Sequence, residues 1–203
     1  MKSLLLLSGG FDSPVAGHLL KQKGVELVAV FFSMEPFTDQ LAEDKALELS
    51  KKIGCSKFLT VKNGMQHKEI IEKCNNRFYY ILTRRLMFRV AEKLAEKYNC
   101  NFLSTGDNLG QVGSQTLSNM GVIDNAVDIM VVRPLLCNDK NETIKLAREI
   151  GTYEISKGPE VCCVLAPKNP ATLSTVEKIE DQESKLDVDS MVNEALKLVK
   201  ELK

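Results

Sequence analysis

The chain has 203 residues, 44% of them hydrophobic, which is enough for one domain with a substantial core. Its 27 Lys and Arg balance its 27 Asp and Glu, so overall charge advertises no nucleic-acid surface, and any such site has to be a local patch. No apolar stretch approaches the roughly 20 residues of a bilayer span, and Leu4–Leu7 is too short for a signal-peptide core, so a cytoplasmic protein is expected.

Strand-like and helix-like segments alternate, which predicts an α/β fold with a Rossmann-like parallel sheet between helices. The first strand is Ser3–Leu7. A helix follows from about Pro14 to Lys23, with Pro in its first turn and Gly24 as its stop. Leu27–Phe32 reads as a buried strand. Thr38 is placed to cap a helix reaching Ile53, ended by Gly54, and Phe58–Val61 is a short strand. Gly64 opens a mostly helical region that Asn75-Asn76 divides into Gln66–Cys74 and Phe78–Tyr98. Phe102–Ser104 and Ile129–Val132 are further strands, and Asp139 caps a helix to Ile150, ended by Gly151. Residues 158–175 are irregular. The tail from Asp187 to Lys203 has helical periodicity, apolar at Val188, Met191, Val192, Ala195, Val199 and Leu202. The expected organisation is one domain with the irregular segment and a C-terminal helical tail as appendages.

The segment Ser8-Gly9-Gly10-Phe11-Asp12-Ser13 joins the first strand to the first helix. Two glycines let the backbone N–H groups approach a ligand, and the helix directs its positive end at the same spot. Ser8 and Ser13 add hydroxyls, so a phosphate is the expected occupant. Asp12 beside an anion is unfavourable unless a cation bridges them, which points to a nucleotide complexed with Mg²⁺. The pattern lacks the ending of a Walker loop and the spacing of a dinucleotide site.

Ligands of open parallel sheets lie beyond the carboxyl ends of the strands. Those ends here carry Ser8–Ser13, Phe32–Pro36, Thr105–Gln115 and Pro134–Lys140, which places all the polar loops on one edge. Gly106, Asp107 and Gln115 belong to an unusually polar strand-to-helix junction. Phe31 and its neighbours end the second strand, where a backbone edge and an aromatic ring could meet a base. Arg84, Arg85 and Arg89 cluster at helical spacing; such a face meets phosphate, or is solvated, or pairs with local acids. Lys140 opens a helix against its dipole, a small local cost that a bound anion would relieve.

Six cysteines lie at 55, 74, 100, 137, 162 and 163, none in a C-x-x-C pair, so no zinc site is indicated. Four are expected to be small core fillers. The adjacent Cys162 and Cys163 lie outside regular elements and leave three uses open: sulfur transfer through a persulfide, packing, or partial ligation of an iron–sulfur cluster.

The motif S-G-G-F-D-S resembles the signature of the PP-loop ATPases. With S-G-G-F-D-S-P-V-A-G, R-R-L-M-F-R-V-A, T-G-D-N-L-G-Q-V-G-S-Q-T, R-P-L-L-C-N-D-K and G-T-Y-E-I-S, the chain resembles the catalytic domain of the tRNA 4-thiouridine synthetases, a family also linked to thiamine thiazole synthesis. The resemblance implies an adenine nucleotide α-hydrolase-like fold, adenylation of a tRNA uridine by ATP, and displacement of AMP by persulfide sulfur. It places Leu6, Leu7, Ser8, Gly9, Gly10, Asp12 and Ser13 against nucleotide, with Asp12 needed for adenylation. Val30 and Phe31 match the adenine-contacting pair, Arg84, Gly106 and Gln115 match nucleotide-binding positions, Lys140 a lysine important for catalysis and Cys162 a cysteine used in sulfur transfer. Family members carry an N-terminal RNA-binding module and some a rhodanese domain. The chain starts at the phosphate-loop strand, so RNA capture is expected from a partner subunit, an oligomer or a local basic patch, and sulfur from an external donor. Another tRNA uridine, an amidotransferase-type adenylation and a non-catalytic ATP-binding subunit are the alternative readings.

Overall fold

The computed structural model describes residues 1–110, 115–157 and 167–202. Its centre is a six-stranded sheet in the order β5-β4-β1-β2-β3-β6. The strands are β1 (Lys2–Leu6), β2 (Glu26–Ser33), β3 (Lys57–Lys62), β4 (Phe102–Ser104), β5 (Val131–Val132) and β6 (Val199–Leu202). All neighbours pair in parallel except β6, which runs antiparallel to β3. The helices are α1 (Asp12–Gln22), α2 (Leu41–Ile53), α3 (Gly64–Lys73), α4 (Tyr79–Lys97), α5 (Leu117–Asp124), α6 (Lys140–Glu149), α7 (Tyr153–Ser156), α8 (Val176–Glu183) and α9 (Val188–Lys197). No helix among the described residues is long and apolar enough to cross a membrane.

Strand side chains alternate between faces, and the core divides accordingly. Leu4, Leu6, Val28 and Val30 face α4, with Leu86, Val90 and Leu94 from that helix. Leu5, Leu7, Ala29 and Phe31 face the other way, against Ala46, Leu49 and Ile53 of α2. Val15 and Ala16 of α1 meet Leu135 and Ala147, which seats α6 beside α1. Leu4 and Leu5 are fully buried, and truncating either to Ala costs about 2–5 kcal/mol. Gly24, Gly54 and Gly151 end α1, α2 and α6 with φ of 77°, 72° and 72°, as the punctuation predicts.

Strand order carries the functional geometry. The chain winds outward from β1 through β2 to β3, then returns to place β4 on the opposite side of β1. The order therefore reverses between β1 and β4, and the crevice beyond their carboxyl ends is where such sheets take ligands.

Four differences from the sequence expectations are informative. The C-terminal helix stops at Lys197, and Val199–Leu202 pairs with β3 instead. Four residues cannot distinguish a period of 3.6 from one of 2, and the otherwise unpaired edge of β3 decides in favour of strand. Thr38 does not cap α2, which begins at Leu41 with Gln40 as its cap. Helices α5, α7 and α8 were not expected; the first and last start at capping threonines, Thr116 and Thr175. Among the cysteines, Cys137 is exposed instead of buried, while Cys55, Cys74 and Cys100 are partly buried. Burial pushes the Cys55 thiol up to about 12 and the Cys100 thiol to about 11, which makes both inert at neutral pH.

Candidate active site

The turn after β1 is stapled by its own hydroxyls. The Ser8 N–H donates to Ser13 Oγ at 2.8 Å, the two hydroxyl oxygens are 3.0 Å apart, and the Gly10 N–H donates to Ser8 Oγ at 3.2 Å. Ser8 and Ser13, expected as donors to a phosphate, thus shape the turn. Ser156 Oγ donates to the Gly10 carbonyl at 3.2 Å, and Phe11 stacks on Tyr153 with centroids 5.2 Å apart, so α7 braces the turn from outside. Phe11 precedes α1 in helical conformation and makes no side-chain cap. The first amides of an α-helix have no intrahelical acceptor and carry its positive end. Asp12 is the first residue of α1, half-buried, and Leu6 and Leu7 underlie the turn in the core.

The loop after β4 is pressed against this turn. A Cβ on Gly106 would lie 2.7 Å from Asp12 C and Ser13 Cα, closer than real side chains come. Only glycine brings the two loops together here. The Leu109 N–H donates to Leu136 O at 2.9 Å and Asn108 Nδ2 donates to Asn138 O at 2.6 Å, which ties in the segment leading to α6. Lys140 is the first residue of α6, exposed, with Asp139 capping the helix through Asn141 N–H. Since α6 lies beside α1 and both follow parallel strands, their N-termini share the carboxyl edge of the sheet.

Lys45 is a basic residue that the sequence did not single out. Its aliphatic stem crosses Gly9, with Cδ 3.3 Å and Nζ 3.6 Å from where a Cβ would stand. It is one of several lysines on α2, and no local pattern marks it; only the packing of α2 beside α1 brings it to the turn.

Asp107 is 7% exposed and engaged on all sides. Arg84 Nη2 reaches both its oxygens at 2.7 and 2.6 Å, Thr105 Oγ1 donates at 2.8 Å, and Arg133 Nε donates at 3.3 Å. Burial alone would raise its pKa, but Arg84, Thr105 and Arg133 outweigh that and hold it below the usual carboxylate range. Asp107, expected among the nucleotide-binding residues, is hydrogen-bonded to Arg84, Thr105 and Arg133. Gln115 Nε2 approaches the same carboxylate at 3.5 Å. Arg85 and Arg89 are also internal. Both clamp Glu183 of α8, Arg85 at 2.9 Å and Arg89 at 2.5 Å, so these two arginines pair with a local acid.

A cavity of about 250 Å³ opens on the α4 side of the same edge, lined by residues that include Phe32, Met34, Asn63, Tyr79, Arg84 and Gln115. Alternation along β2 explains the choice of phenylalanine. Val30 is fully buried against α4, Phe31 packs toward α2, and Phe32, the next residue facing α4, reaches beyond the core to the cavity. The side chains of Val30 and Phe31 are therefore core, and of the two phenylalanines Phe32 is the one that lines the cavity. Oδ1 of Asn63 and Oε1 of Gln115 are buried without a hydrogen-bond partner among the described residues. Residues 111–114, with Cys162 and Cys163, lie outside the described residues. Among the described residues no group of three or more His, Cys, Asp or Glu could hold a metal ion.

The thiamine biosynthesis protein (ThiI) family matches residues 1–188. The chain belongs to this family. It is 44% identical over 201 residues to a probable tRNA sulfurtransferase of Alkaliphilus oremlandii, covering 96% of this chain and 51% of that protein. A probable tRNA sulfurtransferase of Coxiella burnetii is 42% identical and covered to 53%. The chain thus spans about half the length of the curated relatives it matches. Among solved structures, a 4-thiouridine synthetase in complex with RNA and bound ATP superposes with a TM-score of 0.93 at 38% identity, over 100% of this chain and 55% of that one. The PP-loop architecture expected from the motifs is the architecture observed.

Proposed function

We propose that this chain is the ATP-cleaving unit of a tRNA thiolation enzyme. The observation that carries the reading is the seam of Gly106 against Asp12 and Ser13, which makes one cradle of two loops at the start of α1. The related synthetase with RNA and bound ATP supports it. In this reading the triphosphate lies over the Ser8–Ser13 turn, and the nucleoside enters the cavity beside Phe32, Arg84 and Gln115. A uridine oxygen attacks the α-phosphorus, the bond to the pyrophosphate breaks, and pyrophosphate departs. The terminal sulfur of an external persulfide donor then attacks the pyrimidine carbon, AMP leaves with the oxygen, and the Cys162 thiolate attacks the donor's inner sulfur, which breaks the S–S bond, releases the thionucleoside and leaves a disulfide between Cys162 and the donor. Adenylation is needed because AMP is a far better leaving group than the oxygen it replaces.

The first amides of α1, Lys45 and Lys140 would hold the phosphate charge as pyrophosphate separates. Asp12 fits the role of Mg²⁺ ligand, since Mg²⁺ is commonly held by one or two carboxylates with substrate phosphates and water. When bound, the ion would neutralise phosphate charge. Cys162 would serve the sulfur step through its thiolate. Zero net charge, and α4 arginines engaged with Asp107 and Glu183, favour RNA capture by a separate RNA-binding unit or a second copy of the chain. The cytoplasm, where tRNA is found, is the proposed location.

The test is pyrophosphate release from ATP in the presence of tRNA at low salt, with thionucleosides in the digested tRNA measured by mass spectrometry. Cys162→Ser is expected to retain release and lose the thionucleoside, and Asp12→Ala to lose both. Release that ignores added tRNA, or a Cys162→Ser protein with normal thionucleoside yield, would contradict the assignment.

A further inference from the structure

The cavity has two polar ends along α4. Arg84, Asp107 and Gln115 form one hydrogen-bonded group, and Asn63, His67 and Tyr79 form the other. Tyr79 and Arg84 are five residues apart on α4, a rise of about 7 Å, which is the scale of a nucleoside. The first group is charged. The second is neutral and adjoins the apolar lining supplied by Phe32, Met34 and Tyr80.

Asn63 is unusual for its position. It is the N-cap residue of α3, where an Asn oxygen ordinarily accepts from an amide of the first turn, yet it makes no such bond. Its Nδ2 instead donates to His67 Nε2 at 3.1 Å, and His67 Nδ1 meets Tyr79 Oη at 2.8 Å. Burial lowers the His67 pKa to about 4, so the ring is neutral and offers one donor and one acceptor. With Nε2 accepting from Asn63, Nδ1–H donates to Tyr79. This chain pins the amide with Oδ1 turned away from the cap position. Asn63 is 2% exposed and lines the cavity, and its Oδ1 has no hydrogen-bond partner among the described residues. A buried acceptor without a donor is unfavourable and calls for a ligand N–H.

We propose that Asn63 Oδ1 reads the exocyclic amine of the nucleotide base, with His67 and Tyr79 as the positioning residues that hold the amide. The proposal rests on the nucleotide reading above and adds a specificity determinant to it. The base edge must present a donor where Asn63 waits, and the 6-amine of adenine is such a donor. A keto oxygen at that place would face the amide oxygen across a dry contact. Gln115 Oε1, next to Asp107 and Arg84, belongs to the charged end and faces the sugar side.

The experiment is a binding comparison of ATP with purine riboside 5′-triphosphate, which has hydrogen in place of the amine, on the wild-type chain and on Asn63→Leu. Wild type should bind the deaminated analogue about tenfold more weakly than ATP, because the buried acceptor then stays unpaired. Asn63→Leu should bind the two within about twofold of each other. Equal preference for ATP in both proteins, or no preference in wild type, overturns the proposal. Asn63→Ala repeats the comparison if the leucine variant does not fold. Met87→Trp, which fills the cavity, separates the two levels of the argument. It should abolish binding of both nucleotides, and undiminished binding would mean the nucleoside lies elsewhere and the underlying reading fails.

Discussion

Gly106 and Ser13, 93 residues apart in sequence, touch so closely that a Cβ on Gly106 would stand 2.7 Å from Ser13 Cα. The contact joins the loop after β4 to the Ser8–Ser13 turn after β1, at the point where strand order reverses. Gly106→Ala forces backbone apart, since neither Asp12 nor Ser13 offers a flexible group to move. ATP affinity is expected to fall at least about tenfold, with destabilisation of about 1–3 kcal/mol. Calorimetric titration and a thermal melt measure the two effects, and an unchanged affinity would place the nucleotide away from the seam.

Lys45 lies over Gly9, so in the proposed reading its charge meets the phosphates and not the nucleoside. Lys45→Met keeps most of the stem. It should weaken ATP and pyrophosphate by about tenfold, in keeping with loss of one charge contact, and leave AMP nearly unaffected. Equal weakening of ATP and AMP would show that Lys45 acts through the fold of the turn.

The Arg85–Glu183–Arg89 clamp fastens α8 to α4 in a largely buried site. Removing one member leaves an uncompensated buried charge, which costs about 3–5 kcal/mol. Glu183→Gln, a near-isosteric change that leaves two arginines together, is expected to lower unfolding free energy by about 3 kcal/mol in urea denaturation. A loss below about 1 kcal/mol would mean water replaces the carboxylate.

His67 gives stability a defined pH dependence. Its folded pKa of about 4 lies below the ordinary 6.5 because burial disfavours the charged ring. Between these values the unfolded chain binds the extra proton, so stability falls as pH drops from 6.5 to 4. The full effect is about 3 kcal/mol at roughly 1.4 kcal/mol per unit. Asp107 acts in the next window: its lowered pKa contributes stability that is present above its ordinary value of 3.8 and lost as pH falls further. Denaturation curves at pH 7, 5.5 and 4.5 should show the first slope in wild type and a flatter one in His67→Gln.

Much of this architecture is readable locally. The β1 apolar run, the glycine turn, the Asp139 cap and the glycine stops of α1, α2 and α6 each depend on a few neighbouring residues, and each appears where the pattern puts it. Strand β4 matches its expected span of Phe102–Ser104. The roles of charged residues were less legible. Arg84, Arg85 and Arg89 look alike in sequence, but their partners, Asp107 and Glu183, lie 23, 98 and 94 residues away.

The sequence by itself determined the alternation of strands and helices, the glycine turn after β1 and the edge on which the polar loops gather, because backbone sterics, capping and hydrophobic period act within a few residues. Only the tertiary structure decided that Phe32 and not Phe31 faces the cavity, that Lys45 crosses Gly9, that Asp107 pairs with Arg84, and that residues 199–202 close the sheet as a strand. Those outcomes depend on which surfaces meet after the chain has wound out from β1 and returned beside it, and contacts between distant segments leave no period in the sequence that makes them.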